Sequence, residues 1–326
     1  MSANRKRLLL PETLHEAGWV IARGRDDVES VPYPNEMPAA DFRARLAPSH
    51  GVALGVRPFG EADLERAPVL AVVGRIGVGY DAVEVPALTR RGIPLMTTGT
   101  ANSTSVAEQA VFFVLALAKR VAAQDALVKQ GRWDERFSGL PSEIAGKTAL
   151  VVGFGRIGTR AAARLRAFEM RVLVFDPFVD AGAIRAAGFE PAADLDAALA
   201  AADVVTIHCP RNPQTIGLFD AARLGRMKRG AALVNTARGG IVDEAALHTA
   251  LASGHLSGAG LDVFAEEPVP TDHPLLALPN VITAPHVAGV THEAAAAMAR
   301  STVENLLSVL DGAPRRANAV NPEVWS

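Results

Sequence analysis

Cysteine is nearly absent from this sequence of 326 residues. The single thiol, Cys209, has no partner for an intramolecular disulfide, so a disulfide-stabilised scaffold is excluded. It lies just after the apolar segment Val204–Ile207, where a small buried side chain is expected. This cysteine usage is typical of a reducing compartment, and we predict a cytoplasmic protein.

Charge of one sign and long apolar runs are also lacking. The formal net charge is −2 with a pI near 6.5, and the basic residues are interspersed with acidic ones. The sequence therefore has no electrostatic footprint for nucleic acid or another polyanion. Pro11 ends the apolar run that follows Arg5–Arg7, and Lys119 ends the run Val111–Ala118. Neither a signal peptide nor a membrane span is predicted.

What the sequence does contain is an alternation of apolar strand candidates and helical segments. The hydrophobic fraction of 49% and the charged fraction of 21% are ordinary for a globular protein, and the length exceeds one typical domain. Early strands are predicted at Arg7–Leu10, Val52–Val56, Val69–Gly74 and Pro94–Thr97. Later strands are predicted at Thr148–Val152, Arg171–Phe175, Val204–Ile207, Ala232–Val234, Gly258–Val263 and Val281–Thr283. The alternation predicts an α/β fold with doubly wound parallel sheets in two domains.

Two helical patterns connect the two groups of strands. One runs from Ser105 through Ala118 toward Lys129 and is predicted to be a single long bridge into the second domain. The other, Glu293–Leu310, is predicted to pack back on the first domain. That return would make the outer domain discontinuous in sequence.

A glycine-rich turn lies between a predicted strand and a predicted helix. Gly153, Gly155 and Gly158 follow the strand Thr148–Val152 and open the helical stretch Arg156–Phe168. In this context the first glycine permits a tight turn and the second lets a pyrophosphate approach the backbone. The third lets the helix pack closely on the sheet.

Asp176 ends the next predicted strand. Its position is close to the offset of roughly 20 residues expected for the acid that binds an adenosine ribose. Its carboxylate would accept hydrogen bonds from the ribose hydroxyls and repel a 2′-phosphate. NAD is therefore favoured over NADP as the cofactor.

Arg238, Glu267 and His286 each follow a predicted strand of the second domain. Because ligands bind at the carboxyl ends of parallel strands, these side chains are candidate catalytic groups. A guanidinium grips a carboxylate bidentately, and a carboxylate beside an imidazole stabilises the imidazolium. The pair would keep a proton available for a ketone. His286 and His292 lack a third suitably spaced ligand, so no metal site is predicted.

The segments that carry these residues resemble the D-isomer-specific 2-hydroxyacid dehydrogenases, which include glyoxylate/hydroxypyruvate reductases and 3-phosphoglycerate dehydrogenases. The resemblance covers nearly the whole chain and rests on GRIGVGYDAVEV, ANSTSVAEQAV, VVGFGRIG with Asp176, VNTARGGIVDE, GLDVFAEEP and PHVAG. It implies two Rossmann-like or flavodoxin-like domains with an active-site cleft between them. The substrate domain would be residues 1–104 plus 291–326, and the NAD-binding domain residues 105–290. Family members are usually dimers paired through the cofactor domain, so a homodimer with Trp133 near the contact is expected.

The resemblance also implies roles for individual residues. His286 is expected to be the proton donor, Glu267 its paired acid, and Arg238 the group that orients the 2-oxo acid. The amides of Val78 and Gly79 are expected to hold the substrate carboxylate. The residues expected to line the dinucleotide are Thr104, Gly153, Gly155, Arg156, Ile157, Gly158, Asp176, Cys209, Thr236, Ala237, Asp262, His286 and Gly289.

The expected reaction is hydride transfer between nicotinamide C4 and C2 of a small 2-oxo acid, with a D-2-hydroxy acid as product. Arg75 precedes the loop Ile76–Gly79 and resembles the phosphoglycerate branch, where a second anionic group is held. An arginine that faces solvent at a strand end is an equally good interpretation. We expect no C-terminal regulatory extension. Hydroxypyruvate or glyoxylate therefore ranks level with a phosphorylated or otherwise doubly anionic acid.

Two other interpretations of the same scaffold stay open. Phosphite dehydrogenases share the fold and the arginine, glutamate and histidine, so an inorganic oxyanion is an alternative hydride donor. An NADH-sensing transcriptional corepressor is the non-enzymatic alternative, although the long disordered extensions of that class are not expected here. Formate dehydrogenases fit less well, because their histidine pairs with glutamine where this chain has Glu267.

Overall fold

The structure, a computed structural model, describes residues 5–326 and contains two α/β units. The first unit runs to Asn102 and resumes at Val290–Ser326, and the second is Ser103–Gly289. The chain therefore leaves the first unit once and returns to it with its last helix.

The first unit is built on a five-stranded parallel sheet. Its strands are β1 (Lys6–Pro11), β2 (Val28–Tyr33), β3 (Gly51–Leu54), β4 (Val72–Arg75) and β5 (Leu95–Met96). They are arranged in the order β2-β1-β3-β4-β5. Its helices are α1 (Glu16–Arg23), α2 (Ala39–Leu46), α3 (Glu61–Leu64), α4 (Val85–Arg90) and α12 (His292–Leu310), with 3-10 turns at Arg316–Asn318 and Pro322–Trp325.

The side chains of alternate residues of β1 lie on opposite faces of this sheet. Leu8 and Leu10 are buried in one cluster with Leu306 of α12. Leu9 points to the other face and belongs to a cluster with Phe42 of α2. The sheet is therefore covered on both sides, and α12 packs on the first unit as the sequence predicts.

Strand β2 was not predicted from the sequence. Its residues VESVPY include Glu29 and Pro32, which are unusual in a buried strand. The strand lies at the edge of the sheet and pairs only with β1. The edge of the strand that faces away from β1 therefore tolerates proline and needs no apolar residues.

The second unit is built on a seven-stranded parallel sheet. Its strands are β6 (Thr148–Val152), β7 (Arg171–Phe175), β8 (Glu190–Pro191), β9 (Val204–Ile207), β10 (Ala232–Asn235), β11 (Gly258–Leu261) and β12 (Val281–Thr283). They are arranged in the order β12-β11-β10-β9-β6-β7-β8. Its helices are α5 (Ser103–Ala118), α6 (Val121–Lys129), α7 (Gly158–Ala167), α8 (Ala181–Ala186), α9 (Leu195–Ala201), α10 (Ala221–Arg226) and α11 (Glu244–Ala252), with 3-10 turns at Trp133–Glu135 and Pro274–Ala277.

Two apolar clusters lie on opposite faces of the second sheet. Leu150 of β6 packs in a cluster with Leu247 of α11, whereas its neighbour Val151 packs in a cluster with Phe113 of α5. A Cβ at Gly260 of β11 would lie 2.6 Å from Cβ of Phe113, so this glycine lets α5 approach the sheet. The predicted α/β fold with two parallel sheets is confirmed.

The prediction of one long bridging helix is wrong. Helix α5 ends at Ala118, and Arg120 has a left-handed φ of +53° before α6 begins at Val121. That conformation interrupts the helical backbone and changes the direction of the chain. Helix α6 contains no buried residue, so no core contact holds it in line with α5.

Strand β8 was also missed, because it is only two residues long and lies at the sheet edge beside β7.

Among the helices of residues 5–326, none is both long enough and apolar enough to cross a membrane.

Candidate active site

Every neighbouring pair of strands in the second sheet is parallel, so the segments that follow the strands emerge at one edge. Most of the predicted site residues of this unit follow six of those strands. They are Gly153 after β6, Asp176 after β7, Cys209 after β9, Thr236 to Arg238 after β10, Asp262 and Glu267 after β11, and His286 after β12. The fold therefore brings together the ends of segments that are far apart in sequence.

The three glycines of the turn after β6 have different environments. Gly153 has a φ of +97°, and a Cβ there would lie 2.6 Å from the amide nitrogen of Cys209. A Cβ at Gly158 would overlap the carbonyl oxygen of Gly153, so the first turn of α7 lies directly against the end of β6. A Cβ at Gly155 would meet nothing within 4 Å. Gly155 therefore has open space beside its backbone, whereas the other two glycines are required by packing.

Asp176 ties the end of β7 to the glycine turn. One carboxylate oxygen accepts a hydrogen bond from the amide of Phe154 at 2.7 Å, and the other accepts from the amide of Phe178 at 2.9 Å. These bonds fix the carboxylate while leaving further lone pairs on both oxygens.

Two buried polar atoms in the segments that follow β9 and β10 lack a hydrogen-bond partner among the described residues. They are Oγ1 of Thr236, after β10, and Nδ1 of His208, after β9. Buried polar atoms are rarely left unpaired, so both indicate a ligand or water at this edge of the sheet. Together with the open backbone at Gly155, they fit a dinucleotide that runs along the strand ends.

The thiol of Cys209 lies at the same edge. Burial raises the pKa of Cys209 to about 11, so it stays protonated near neutral pH and is a poor nucleophile. Its backbone packs against Gly153, which makes it part of the wall beside the turn.

The turn that carries Arg238 is held by a buried asparagine at the end of β10. Asn235 donates from Nδ2 to the carbonyl of Arg238 at 2.9 Å and accepts from the amide of Ala237 at 3.0 Å. Arg238 is half-buried, and its Nη1 donates to the carbonyl of Ala237 at 2.7 Å. The sequence reasoning missed Asn235, although an asparagine that ends an apolar strand was a usable signal.

Gly239 brings the turns after β10 and β11 into contact. A Cβ at this position would overlap the carbonyl group of Phe264, so only glycine allows this approach. The backbone after Arg238 therefore lies against the segment that leads to Glu267.

Glu267 and His286 form a direct pair. Nδ1 of His286 lies 2.6 Å from Oε2 of Glu267, and Oε1 of Glu267 accepts from the amide of Phe264 at 2.9 Å. The carboxylate therefore favours a proton on Nδ1 and leaves Nε2 for another partner. The His286 side chain is 46% exposed, so that nitrogen is accessible to a ligand.

The backbone at His286 is strained and is held from β11. His286 has a φ of +54°, which is uncommon for a residue with a side chain. Its amide donates to the carbonyl of Asp262 at 2.8 Å, and the Asp262 carboxylate accepts from the amides of Val287 and Ala288 at 2.9 and 3.0 Å. Burial raises the pKa of the Asp262 carboxyl, and these two amides act in the opposite direction. Asp262 thus orients His286 through backbone hydrogen bonds.

The remaining predicted residues lie in both units. Thr104 is in the first turn of α5, Arg156 and Ile157 precede α7, and Gly289 follows the strained turn. In the first unit, Arg75 ends β4 and is followed by Val78 and Gly79, both of which are partly exposed. Within residues 5–326 no group of three or more histidine, cysteine, aspartate or glutamate side chains could hold a metal ion.

Comparison with known proteins decides the family. Residues 111–288 match the model of the D-isomer specific 2-hydroxyacid dehydrogenase NAD-binding domain. The chain belongs to this family. The family prediction is confirmed, and so is the prediction that the second unit contains an NAD-binding domain.

The chain is similar to relatives that carry two different names. It is 42% identical over 259 residues to D-3-phosphoglycerate dehydrogenase of Archaeoglobus fulgidus, an alignment that covers 79% of this chain and 48% of the relative. It is 38% identical over 281 residues to glyoxylate reductase of Korarchaeum cryptofilum, covering 84% and 82%. The chain thus spans about half the length of the phosphoglycerate dehydrogenases that it matches.

Two solved structures resemble the chain over nearly its whole length. D-lactate dehydrogenase of Aquifex aeolicus, complexed with NAD and lactic acid, has a TM-score of 0.85 at 28% identity and covers 96% of this chain and 98% of its own. The TT0316 protein of Thermus thermophilus has a TM-score of 0.86 at 36% identity, covering 96% and 99%.

Proposed function

We propose that this family member catalyses hydride transfer between C4 of the NAD nicotinamide and C2 of a small 2-hydroxy or 2-oxo acid, with the D isomer as product. The observation that carries this proposal is the 2.6 Å pair of His286 and Glu267 at the strand ends of an NAD-binding domain. NAD supplies or accepts the hydride, and the chain supplies the proton and the binding groups.

His286 is proposed as the acid and base of the reaction. Its Nδ1 is engaged by Glu267, so Nε2 is the atom that would protonate the carbonyl oxygen in reduction and accept the hydroxyl proton in oxidation. Glu267 fixes the ring orientation through this contact. The backbone bond from the His286 amide to the Asp262 carbonyl adds a second restraint on that orientation.

Arg238 is proposed to orient the 2-oxo acid and to stabilise negative charge that develops on its oxygen. Asn235 supports this role because it holds the backbone on both sides of Ala237 and so limits the positions of the guanidinium. The amides of Val78 and Gly79 are proposed to bind the substrate carboxylate. Residues 1–104 and 291–326 would then form the substrate domain, and residues 105–290 the cofactor domain.

The cofactor residues are proposed to act in three groups. Gly153, Gly155, Arg156, Ile157 and Gly158 would bind the pyrophosphate at the start of α7, where backbone amides face the ligand. Asp176 would bind the ribose and disfavour NADP. Those proposed to line the rest of the dinucleotide are Thr104, Cys209, Thr236, Ala237, Asp262, His286 and Gly289.

The substrate class is proposed from the names of the relatives and from Arg75. A glyoxylate reductase and phosphoglycerate dehydrogenases are similarly close in identity, so we propose either hydroxypyruvate or glyoxylate, or a doubly anionic acid. Nη1 of Arg75 lies 3.5 Å from the carbonyl of Leu54 and also donates to that of Ile76. These bonds give Arg75 a structural role at the end of β4.

We also propose a homodimer paired through the cofactor domain, in the cytoplasm. Trp133, Phe137 and Leu140 are 60%, 70% and 68% exposed and lie close together in sequence. Large apolar side chains that stay exposed in a small region are typical of protein interfaces. The single cysteine, Cys209, agrees with a reducing compartment.

The test is oxidation of NADH by the purified protein with glyoxylate, hydroxypyruvate, pyruvate, phosphohydroxypyruvate and sulfopyruvate, repeated with NADPH. Turnover of at least one acid is the expected result, and preference for the doubly anionic acids would assign Arg75 to specificity. Absence of turnover with every acid, with NADH binding intact, would overturn the proposal. Reduction of NAD by phosphite would then identify an oxyanion dehydrogenase, and its absence would leave an NADH sensor.

A further inference from the structure

A second carboxylate lies behind the pair of Glu267 and His286. Glu244, the first residue of α11, accepts a hydrogen bond from the amide of Ala265 at 2.7 Å through Oε1. Its Oε2 lies 3.1 Å from Nε2 of His273. The Glu244 and His273 side chains are only 18% and 19% exposed, so this contact is shielded from bulk water.

The proton on His273 can be placed from its other contacts. Its Nδ1 accepts from the amide of Leu275 at 3.4 Å, at the start of the 3-10 turn that follows. The ring proton therefore lies on Nε2 and is donated to Glu244. The ring also packs edge-on against Phe264, with centroids 5.9 Å apart at an interplanar angle of 72°.

These contacts lead directly to Glu267. Ala265 follows Phe264, whose amide holds Oε1 of Glu267 at 2.9 Å. The two consecutive amides of Phe264 and Ala265 thus bind two different carboxylates, that of Glu267 and that of Glu244. On the far side, Oε2 of Glu267 meets Nδ1 of His286 at 2.6 Å. A shift of the Phe264–Ala265 backbone would therefore change the geometry of the Glu267–His286 pair, on which the proposed function rests.

We propose that Glu244 and His273 are positioning residues for this pair. Glu244 holds the Ala265 amide, and His273 fixes the Glu244 carboxylate and one face of Phe264. Neither residue is assigned contact with substrate or cofactor, and both act through the backbone that orients Glu267.

The test compares Glu244→Ala and Glu244→Gln with Glu266→Ala in the full chain. Glu266 is an exposed acid of the same loop and serves as the matched control. In Glu244→Ala we expect kcat to fall about 10- to 100-fold, because displacement of a catalytic group by about 1 Å has that effect. We expect the dissociation constant for NADH to change less than about twofold. In Glu244→Gln the amide oxygen still accepts from Ala265, but the amide nitrogen faces the Nε2 proton of His273, so only part of the rate should return.

A spectroscopic readout separates this proposal from the proposed function. In protein labelled with ¹⁵N-histidine, the His286 Nδ1 proton should resonate far downfield because of its short bond to Glu267. Glu244→Ala should move this resonance upfield, and Glu266→Ala should not. An unchanged resonance in Glu244→Ala would overturn the positioning role, even if kcat fell. A wild-type protein that turns over no acid, but whose resonance still moves in Glu244→Ala, would contradict only the proposed function.

Loss of fold is a separate explanation for a low rate, and Asp243→Ala controls for it. Asp243 caps α11 by accepting from the amide of Ala246 at 3.0 Å, so its removal should cost about 1 kcal/mol of stability. The His286 resonance should stay in place in this variant. If Asp243→Ala moves the resonance as far as Glu244→Ala does, general weakening of α11 explains both and the positioning role is rejected.

Discussion

The amide of His286 donates to the carbonyl of Asp262 at 2.8 Å, while the Asp262 carboxylate binds the amides of the next two residues. Asp262 therefore closes a left-handed turn around the proposed acid and base. The imidazole is fixed twice, through this turn and through Glu267, and such preorganisation lowers the reorganisation required during proton transfer.

Removal of the His286 ring should abolish most of the turnover. We expect kcat of His286→Ala to fall by about two to four orders of magnitude, the usual contribution of a positioned acid or base. Steady-state reduction of the best 2-oxo acid measures this loss. His292→Ala, which removes an exposed histidine at the start of α12, is the matched control and should retain full rate. A His286 variant with most of its turnover would show that another group donates the proton.

Arg238→Lys should weaken binding of the oxo acid while leaving NADH binding intact. Lysine keeps the charge but lacks the planar fork, and loss of a charged hydrogen bond raises KM by about 10- to 100-fold. Initial rates give KM, and NADH fluorescence gives the cofactor affinity. Arg229→Lys, at an exposed position of the same unit, controls for the effect of replacing any arginine by lysine. Equal losses for substrate and cofactor would indicate misfolding rather than loss of a substrate contact.

Gly155→Ala should weaken NADH binding without unfolding the protein. An added Cβ meets no protein atom within 4 Å, so Tm should stay within a few degrees of the wild type. The methyl group would occupy space proposed for the pyrophosphate, and we expect about a 10-fold rise in the NADH dissociation constant, or about 1.4 kcal/mol. Gly225→Ala adds a methyl group at an equally open position in α10 and should bind NADH normally. Normal binding by both variants would contradict the assignment of this turn to the pyrophosphate.

His208 should make the stability of the protein depend on pH. Burial lowers its pKa to about 4, from an ordinary value of 6.5, so the unfolded chain takes up the proton first as the pH falls. The stabilising contribution is complete above pH 6.5 and is lost progressively as the pH falls toward 4. Between about pH 7.5 and pH 5, the free energy of unfolding should fall about 2 kcal/mol more in the wild type than in His208→Gln.

Urea unfolding at the two pH values measures this difference. His292→Gln replaces an exposed histidine and should retain the full wild-type pH dependence. Equal pH dependence in wild type and His208→Gln would show that His208 is not held neutral in the folded state.

The strands of the second unit could be predicted closely from the sequence. The predicted bounds of β6, β7, β9 and β12 are the observed ones. For the inner strands β6, β7 and β9 the reason is that a sheet covered on both faces makes its strands short apolar runs. Edge strands such as β2 and β8 carry charge and proline and give no such signal. The break between α5 and α6 at Arg120 also gave no signal in the sequence, because both flanking segments favour helix.

The sequence by itself determined the family, the NAD-binding domain and the kinds of chemical group after each strand, since these depend on local motifs in a fixed order. Only the tertiary structure decided which atoms meet. Asp262 could bind the backbone after His286, and Glu244 could reach Ala265, only once β10, β11 and β12 lay side by side. Hydrogen bonds act over about 3 Å, whereas these partners are separated by more than twenty residues of chain, so no local pattern specifies them.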